Sequence, residues 1–323
     1  MHPPLPALPR FEDVLEAAAR IAPHASVTPV LRARSLDLDS GCQLHFKAEH
    51  LQRSGAFKFR GASNAVLSLD DQAAAAGVVT HSSGNHGGAL ALAAQLRGIP
   101  CHVVVPDPAA APKLAAIAAR GATVHRCAPG IPAREAMCDQ VRRDTGATLV
   151  HPYADARVIA GQGTATLELL RQCAEGLDAL VVPVGGGGLA SGAALTLAAL
   201  SPGTRLYLAE PAGADDTSRS LRDGRRVTEL VADTVCDGLR GLLGAPNFAI
   251  LHAHRAEVLT VADDDTIAAM KLLLARTKQL VEPSSAITLA AVLAHRERFA
   301  GQRVGLILSG GNADPDHLPW LPR

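Results

Sequence analysis

Short apolar runs rich in Val and Ile alternate along the chain with longer Ala- and Leu-rich segments whose apolar positions recur at helical spacing. The clearest pairs are GVVTHSS then GGALALAAQLRG, CHVVVP then APKLAAIAARG, and LDALVVPV then LASGAALTLAAL; ATVHRC, RLYLAEP and RVGLILSGG are further strand-like runs. Continuous apolar strands separated by helices belong to parallel sheets covered on both faces, so the pattern predicts an α/β fold. No sequence period of roughly 20–50 residues recurs, which argues against a solenoid. Residues 73–151 contain a compact set of strand and helix units of their own, while the first 72 have no such partners nearby. The expectation is two lobes, each a mostly parallel sheet flanked by helices: 1–72 with 152–323 as a large domain, and 73–151 as a small domain inserted into it.

The 323 residues are 48% hydrophobic with a formal net charge of zero. That leaves no cationic excess to hold a phosphate backbone and no polybasic tail for a lipid surface, so neither nucleic acid nor membrane is an expected partner. The N-terminus has no charged region followed by an apolar one, and the long apolar segments are broken by Gly, Pro or charge before they reach a membrane-spanning length. Six cysteines lie scattered, mostly in apolar stretches and with no C-x-x-C pair, as reduced buried thiols do. A cytoplasmic protein is expected.

Three segments carry candidate chemistry. In VVPVGGGGLASG, residues 181–192, an apolar strand runs into four glycines and then a helix. Main-chain N–H groups unshielded by Cβ beside a helix N-terminus favour an anion, most naturally a phosphate. No Lys-Ser or Lys-Thr follows, so this is not a Walker A loop. A dinucleotide site is the rival reading, since Gly185, Gly187 and Ala190 fit G-x-G-x-x-A and Glu210 stands about 20 residues on, where a ribose ligand is expected. A plain tight turn is the simplest alternative, but four glycines cost about 0.5–1 kcal/mol each in chain entropy, which such a turn does not require.

SGAFKFRGA, residues 54–62, sets Lys58 between two phenylalanines in a chain with only five lysines and 26 arginines. Apolar flanks desolvate the amine and lower its pKa toward a nucleophile that condenses with carbonyl compounds; the other reading is a lysine snorkelling from a half-buried helix. In THSSGNHGGALALAAQ, residues 80–95, a strand ends in the polar turn Ser82, Ser83, Gly84, Asn85 and His86, whose hydroxyls, amide and N–H groups suit a carboxylate or cap the following helix.

With HLQRSGAFKFRGASNAV, THSSGNHGGAL, VIAGQGT, VVPVGGGG, AEPAGADD, VEPSSA and LILSGGNAD in this order, nearly the whole chain resembles the fold-type II pyridoxal-phosphate enzymes, specifically the serine racemase and serine/threonine dehydratase family. The resemblance implies that the large domain binds pyridoxal 5'-phosphate and the small one lies on the substrate side. It implies that Lys58 holds the cofactor covalently beside Phe57, that Gly185, Gly186, Gly187 and Gly188 bind its phosphate, that Asn85 meets its phenolic oxygen and that Ser309 meets its pyridine nitrogen. Ser82, Ser83, Gly84, Asn85 and His86 would bind an amino-acid substrate. The implied reaction is α,β-elimination from L-serine, L-threonine or a close 3-hydroxy amino acid, giving a 2-oxo acid and ammonia with Lys58 as base. Ser83 on the opposite face would permit racemisation. Elimination ranks first because it needs one placed base, whereas racemisation needs two.

The resemblance also implies Mg²⁺, Ca²⁺ or Mn²⁺ on Glu210, the Ala214 carbonyl and Asp216, a hard-oxygen set; an acidic helix start is the plainer reading. Asp263, Asp264 and Asp265 are adequately explained by capping and helix dipole, and His252 with His254 by surface position. Departures matter too. Gly88 stands where relatives often carry Gln, which argues against ATP regulation, and Gly241 lacks a hydroxyl some relatives have. Arg134 and Arg240 keep a second substrate carboxylate, and hence threo-3-hydroxyaspartate, open. A homodimer is what the family suggests. A nicotinamide oxidoreductase would rest on the glycine pattern alone, and a non-catalytic binding protein would need Lys58, Ser83 and the glycine loop to coincide by chance.

Overall fold

The computed structural model describes residues 7–82, 84–107 and 111–321. Its strands are β1 (Val30–Leu31), β2 (Gln43–Lys47), β3 (Val78–Thr80), β4 (Cys101–Pro106), β5 (Thr123–Cys127), β6 (Thr148–Leu149), β7 (Ala179–Pro183), β8 (Arg205–Pro211), β9 (Glu257–Val261) and β10 (Arg303–Ile307). They form a six-stranded sheet in the order β1-β2-β10-β7-β8-β9 and a four-stranded sheet in the order β5-β4-β3-β6. All neighbours are parallel except β1, which runs antiparallel to β2 with Val30 opposite Lys47. Parallel pairing requires crossovers, and the Ala- and Leu-rich segments supply them as helices.

Both faces of each sheet are covered, which is why its strands read as unbroken apolar runs. Along β7, Val181 joins Phe46, Tyr207 and Leu306 in a cluster with Ile287 and Leu289 of the helix Pro283–Ala294. Its neighbours Leu180 and Val182 join Leu208 and Ile307 against the helices Ala156–Gln172 and Gly188–Leu200. In the small sheet, Val78, Val103 and Val105 pack with the helices Lys58–Leu67 and Asn85–Arg97, and Val79 and Val104 with Cys138 and Val141 of Ile131–Thr145. The first 72 residues therefore divide their packing. Their strands extend the large sheet, while Phe59, Ala62 and Val66 fill the core of the small one.

The glycines of VIAGQGT serve helix packing. A Cβ on Gly161 would stand 2.6 Å from the Cα of Gly61, and one on Gly163 would stand 2.9 Å from the carbonyl oxygen of Gly192. The helix Ala156–Gln172 thus meets the Lys58 helix on one side and Gly188–Leu200 on the other, backbone against backbone. All six cysteines are free and buried. No helix among the described residues is long and apolar enough to cross a membrane.

Candidate active site

Because the strands are parallel, the segments that leave their carboxyl ends converge, as ligand-binding loops do in open α/β sheets. The glycine loop leaves β7. Gly187, at φ +90°, precedes the helix Gly188–Leu200. A Cβ on Gly185 would lie 2.8 Å from Leu239 Cα, and one on Gly186 would overlap the Tyr153 ring. The carbonyl of Gly186 is held from behind by Gly244 N–H at 3.1 Å and by the Asn247 amide, which also donates to Tyr153 O at 3.0 Å. The N–H groups of Gly185, Gly186, Gly187 and Gly188 have no acceptor among the described residues. Unpaired donors at a helix start make an anion cradle.

Lys58 opens the helix Lys58–Leu67. The turn before it is stitched to the segment after β10: Ala56 bridges Gly310, Phe57 N–H donates to Ser309 O at 2.9 Å and Gly311 N–H to Gly55 O at 2.9 Å. The Lys58 amine lies 5.1 Å from the centroid of the Phe57 ring and donates to Pro152 O at 2.9 Å. Burial lowers its pKa from 10.5 to about 8, with Glu282 opposing the shift. The buried Ser309 hydroxyl lies 3.1 Å from Ser285 Oγ.

The turn after β3 folds back so closely that a Cβ on Gly87 would overlap the Ser82 carbonyl. Asn85 donates its amide N–H to Glu282 at 2.9 and 3.0 Å and accepts from Asn312 at 2.8 Å. Buried His86 donates from Nε2 to Val150 O at 3.2 Å and has no partner at Nδ1 among the described residues. Burial, then Lys58, holds its pKa well below the usual range, so the ring is neutral. Ser83 lies outside the described residues; Ser82 and Gly84 flank it.

Three neighbours of Lys58 escaped the sequence reading. His151 Nδ1 accepts the N–H groups of Tyr153 at 3.3 Å and Ala154 at 3.0 Å, and its ring meets those of His81 and Tyr153 edge-on. Burial, then His81 and Lys58, pushes its pKa down to about 4. Tyr153 packs on the glycine loop, and Glu282 accepts from Asn85 while lying close enough to Lys58 to raise its pKa. The motif HPYADA offered one signal, a His-Pro-Tyr run at the junction of two lobes. It reads equally well as a connection.

The remaining candidates lie elsewhere. Glu210 is fully buried, and its two oxygens accept Thr217 N–H at 2.7 Å and Ser218 N–H at 2.8 Å, so it faces a helix start rather than a ribose. Asp216 accepts Leu243 N–H at 2.8 Å. Asp263 reaches back to the Thr234 hydroxyl at 2.6 Å and Val235 N–H at 2.9 Å, tying down a distant loop as well as starting its helix. Of the two arginines considered for a second carboxylate, Arg240 is spent on the Thr234 carbonyl, at 3.1 and 2.6 Å. Arg134 keeps a buried Nε without a partner among the described residues and lies close enough to His81 to lower its pKa.

A desolvated amine and an unpaired N–H cradle, joined through Pro152 and Tyr153, fit a carbonyl compound with an anionic tail. Comparison with known proteins bears on which. The family model described as "pyridoxal-phosphate dependent enzyme" matches residues 21–310. The chain is similar to a β-hydroxyaspartate dehydratase of Paracoccus denitrificans, with 47% identity over 97% of this chain and 99% of the relative. It is similar to a serine racemase of Dictyostelium discoideum, with 45% identity over 94% of this chain and 95% of that one. Among solved structures, maize serine racemase superposes with a TM-score of 0.93 at 42% identity, covering 96% of this chain and 95% of the other.

Proposed function

The chain belongs to the pyridoxal-phosphate dependent enzyme family, fold type II, and on that premise we propose that it is an ammonia-lyase for 3-hydroxy amino acids, with 3-hydroxyaspartate as the preferred substrate. The observation that carries this reading is the desolvated Lys58 amine bonded to Pro152 O, one residue from the Tyr153 ring that packs on the Gly185–Gly188 cradle. The residues present fit the cofactor. Lys58 would hold its aldehyde carbon, Gly185 to Gly188 its phosphate, Asn85 its phenolic oxygen and Ser309 its pyridine nitrogen, with Phe57 beside the ring. When bound, the cofactor supplies an electron sink that acidifies the α-carbon of the attached amino acid.

The chain's own part is proton placement. A lysine held near pKa 8 is partly unprotonated close to neutrality, so Lys58 Nζ can take the α-proton. Ser309 offers a neutral hydroxyl, which favours prompt loss of the β-hydroxyl over transamination. The turn from Ser82 to His86 would hold the α-carboxylate. Neutral His86 and His151 lie beside the amine without competing as cations. Ser83 would serve as the second proton carrier if the enzyme also racemises.

Arg134, with its unpaired buried Nε, is the group available to a second carboxylate. Ammonia and 2-oxo acid release from L-serine, L-threonine and the 3-hydroxyaspartate diastereomers tests the substrate class, with chiral chromatography of the serine pool for racemisation. Arg134→Leu should raise KM for threo-3-hydroxyaspartate about 10–100-fold and leave KM for L-serine unchanged. Equal effects on both would remove Arg134 from recognition.

Glu210, the Ala214 carbonyl and Asp216 fit a hard divalent cation. Burial pushes Glu210 up to about 8 and Asp216 up to about 6, so a cation's charge there would be compensated by both carboxylates, and the donor set is all oxygen. Saturating Mg²⁺ should raise the thermal midpoint by about 5 °C over protein in chelator. Glu210→Gln should lose that gain, and a midpoint indifferent to Mg²⁺ would exclude the site. A cytoplasmic homodimer completes the proposal; reduced, buried cysteines support the compartment.

A further inference from the structure

Four glycines make room for one tyrosine. A Cβ on Gly186 would overlap the ring of Tyr153, and one on Gly188 would stand 3.1 Å from Tyr153 Cα. On Gly244 it would lie 3.3 Å from Cδ2, and on Gly241 3.6 Å from Cε1. The ring's backbone is fixed on both sides, with Pro152 O accepting from Lys58 and Tyr153 O from Asn247. His151 meets it edge-on with 4.6 Å between centroids. Tyr153 is therefore a plate lying on the glycine loop, placed by the same contacts that place the amine.

Its hydroxyl has no partner among the described residues. The point that a Gly241 Cβ would occupy is 3.9 Å from Tyr153 Oη and 3.9 Å from Gly186 N, so the phenol and one N–H of the cradle border the same space. A phenylalanine would fill the volume equally well, so packing alone does not call for the hydroxyl. Burial, then Asp216, raises the phenol's pKa, which keeps it a donor.

We propose that Tyr153 is a further anion-binding residue, whose hydroxyl donates a hydrogen bond to a phosphate oxygen held by the N–H groups of Gly185 to Gly188. This rests on reading that loop as the cofactor's phosphate cradle, so the experiment separates the two. Apoprotein is titrated with pyridoxal 5'-phosphate and with pyridoxal, for the unaltered chain, Tyr153→Phe and Tyr153→Leu, following absorbance.

Tyr153→Phe should bind the phosphorylated ligand about ten-fold more weakly and pyridoxal unchanged, since one hydrogen bond to a charged oxygen is lost. Tyr153→Leu should show the same phosphate-specific loss on top of a decrease common to both ligands. Phosphorylated-ligand affinity unchanged in Tyr153→Phe, or weakened equally for both ligands, would overturn the proposal. An unaltered chain that does not prefer the phosphorylated ligand would overturn the cradle itself, and the proposal with it. Circular dichroism and thermal midpoints of the apo forms establish that the variants are folded.

Discussion

Lys58→Ala is expected to lower ammonia and 2-oxo acid release by at least about 10³-fold while leaving the apoprotein folded. The residue is asked both to tether a carbonyl compound and to move a proton, and no neighbouring amine can substitute. Lys47, the one fully buried lysine among the described residues, is locked by Glu168 at 2.7 Å, Thr28 O at 2.7 Å and Gln172 at 2.9 Å. Hydride trapping of the loaded protein should label a peptide containing residue 58 and nothing in the variant. Turnover above about a tenth of normal, or labelling at another lysine, would contradict the assignment.

The same variant has a pH signature. The folded Lys58 pKa of about 8 lies below the unfolded 10.5, so the unfolded state binds the extra proton between those values and stability rises with pH there. Below pH 8 the folded chain carries the full cost of a desolvated ammonium. The stability difference between wild-type and variant apoprotein should therefore move in the wild type's favour from about pH 8 to 10.5. Denaturant titrations at several pH values measure it.

Arg60→Met should reduce the unfolding free energy by about 3–5 kcal/mol. Arg60 is fully buried and grips two carboxylates, Glu49 at 2.7 and 2.8 Å and Glu168 at 2.8 Å twice, while Lys47 holds Glu168 from the other side. Removing the guanidinium takes from Glu49, itself fully buried, the ion-pair partner that both its oxygens accept from. Adding Glu49→Gln to Arg60→Met should recover part of the loss, since the stranded charge goes too. Urea titration of the apoprotein decides it. A loss under about 1 kcal/mol would mean that the cluster is solvated or readily rearranged.

This cluster was the least legible part of the sequence. Arg60 stands two residues from Lys58 in FKFRGA, yet nothing local marks it as buried, because its partners Glu49 and Glu168 are set by how two helices and a strand end converge. The α/β class was legible because doubly covered strands must be apolar throughout, as LVVP in β7 and VVVP in β4 are. The glycine run was visible as an anion loop because backbone freedom at four successive positions has few structural uses. Tyr153, His151 and Glu282 stayed hidden because each acts through a neighbour remote in sequence: the ring through Gly186 and Gly241, the imidazole through His81, the carboxylate through Asn85. Arg134 and Arg240 looked equivalent until the Thr234 carbonyl was seen to occupy one of them.

The glycine contacts of the helix Ala156–Gln172 set a tolerance for the whole molecule. The helix that starts at the amine and the helix that starts at the cradle are both fastened to this one strut, at Gly61 with Gly161 and at Gly163 with Gly192. Their spacing is a main-chain thickness rather than a sum of side-chain volumes. Leucines and valines elsewhere can drift in size over evolutionary time without changing the span a small molecule must bridge, whereas a single methyl group at any of these four positions would alter it.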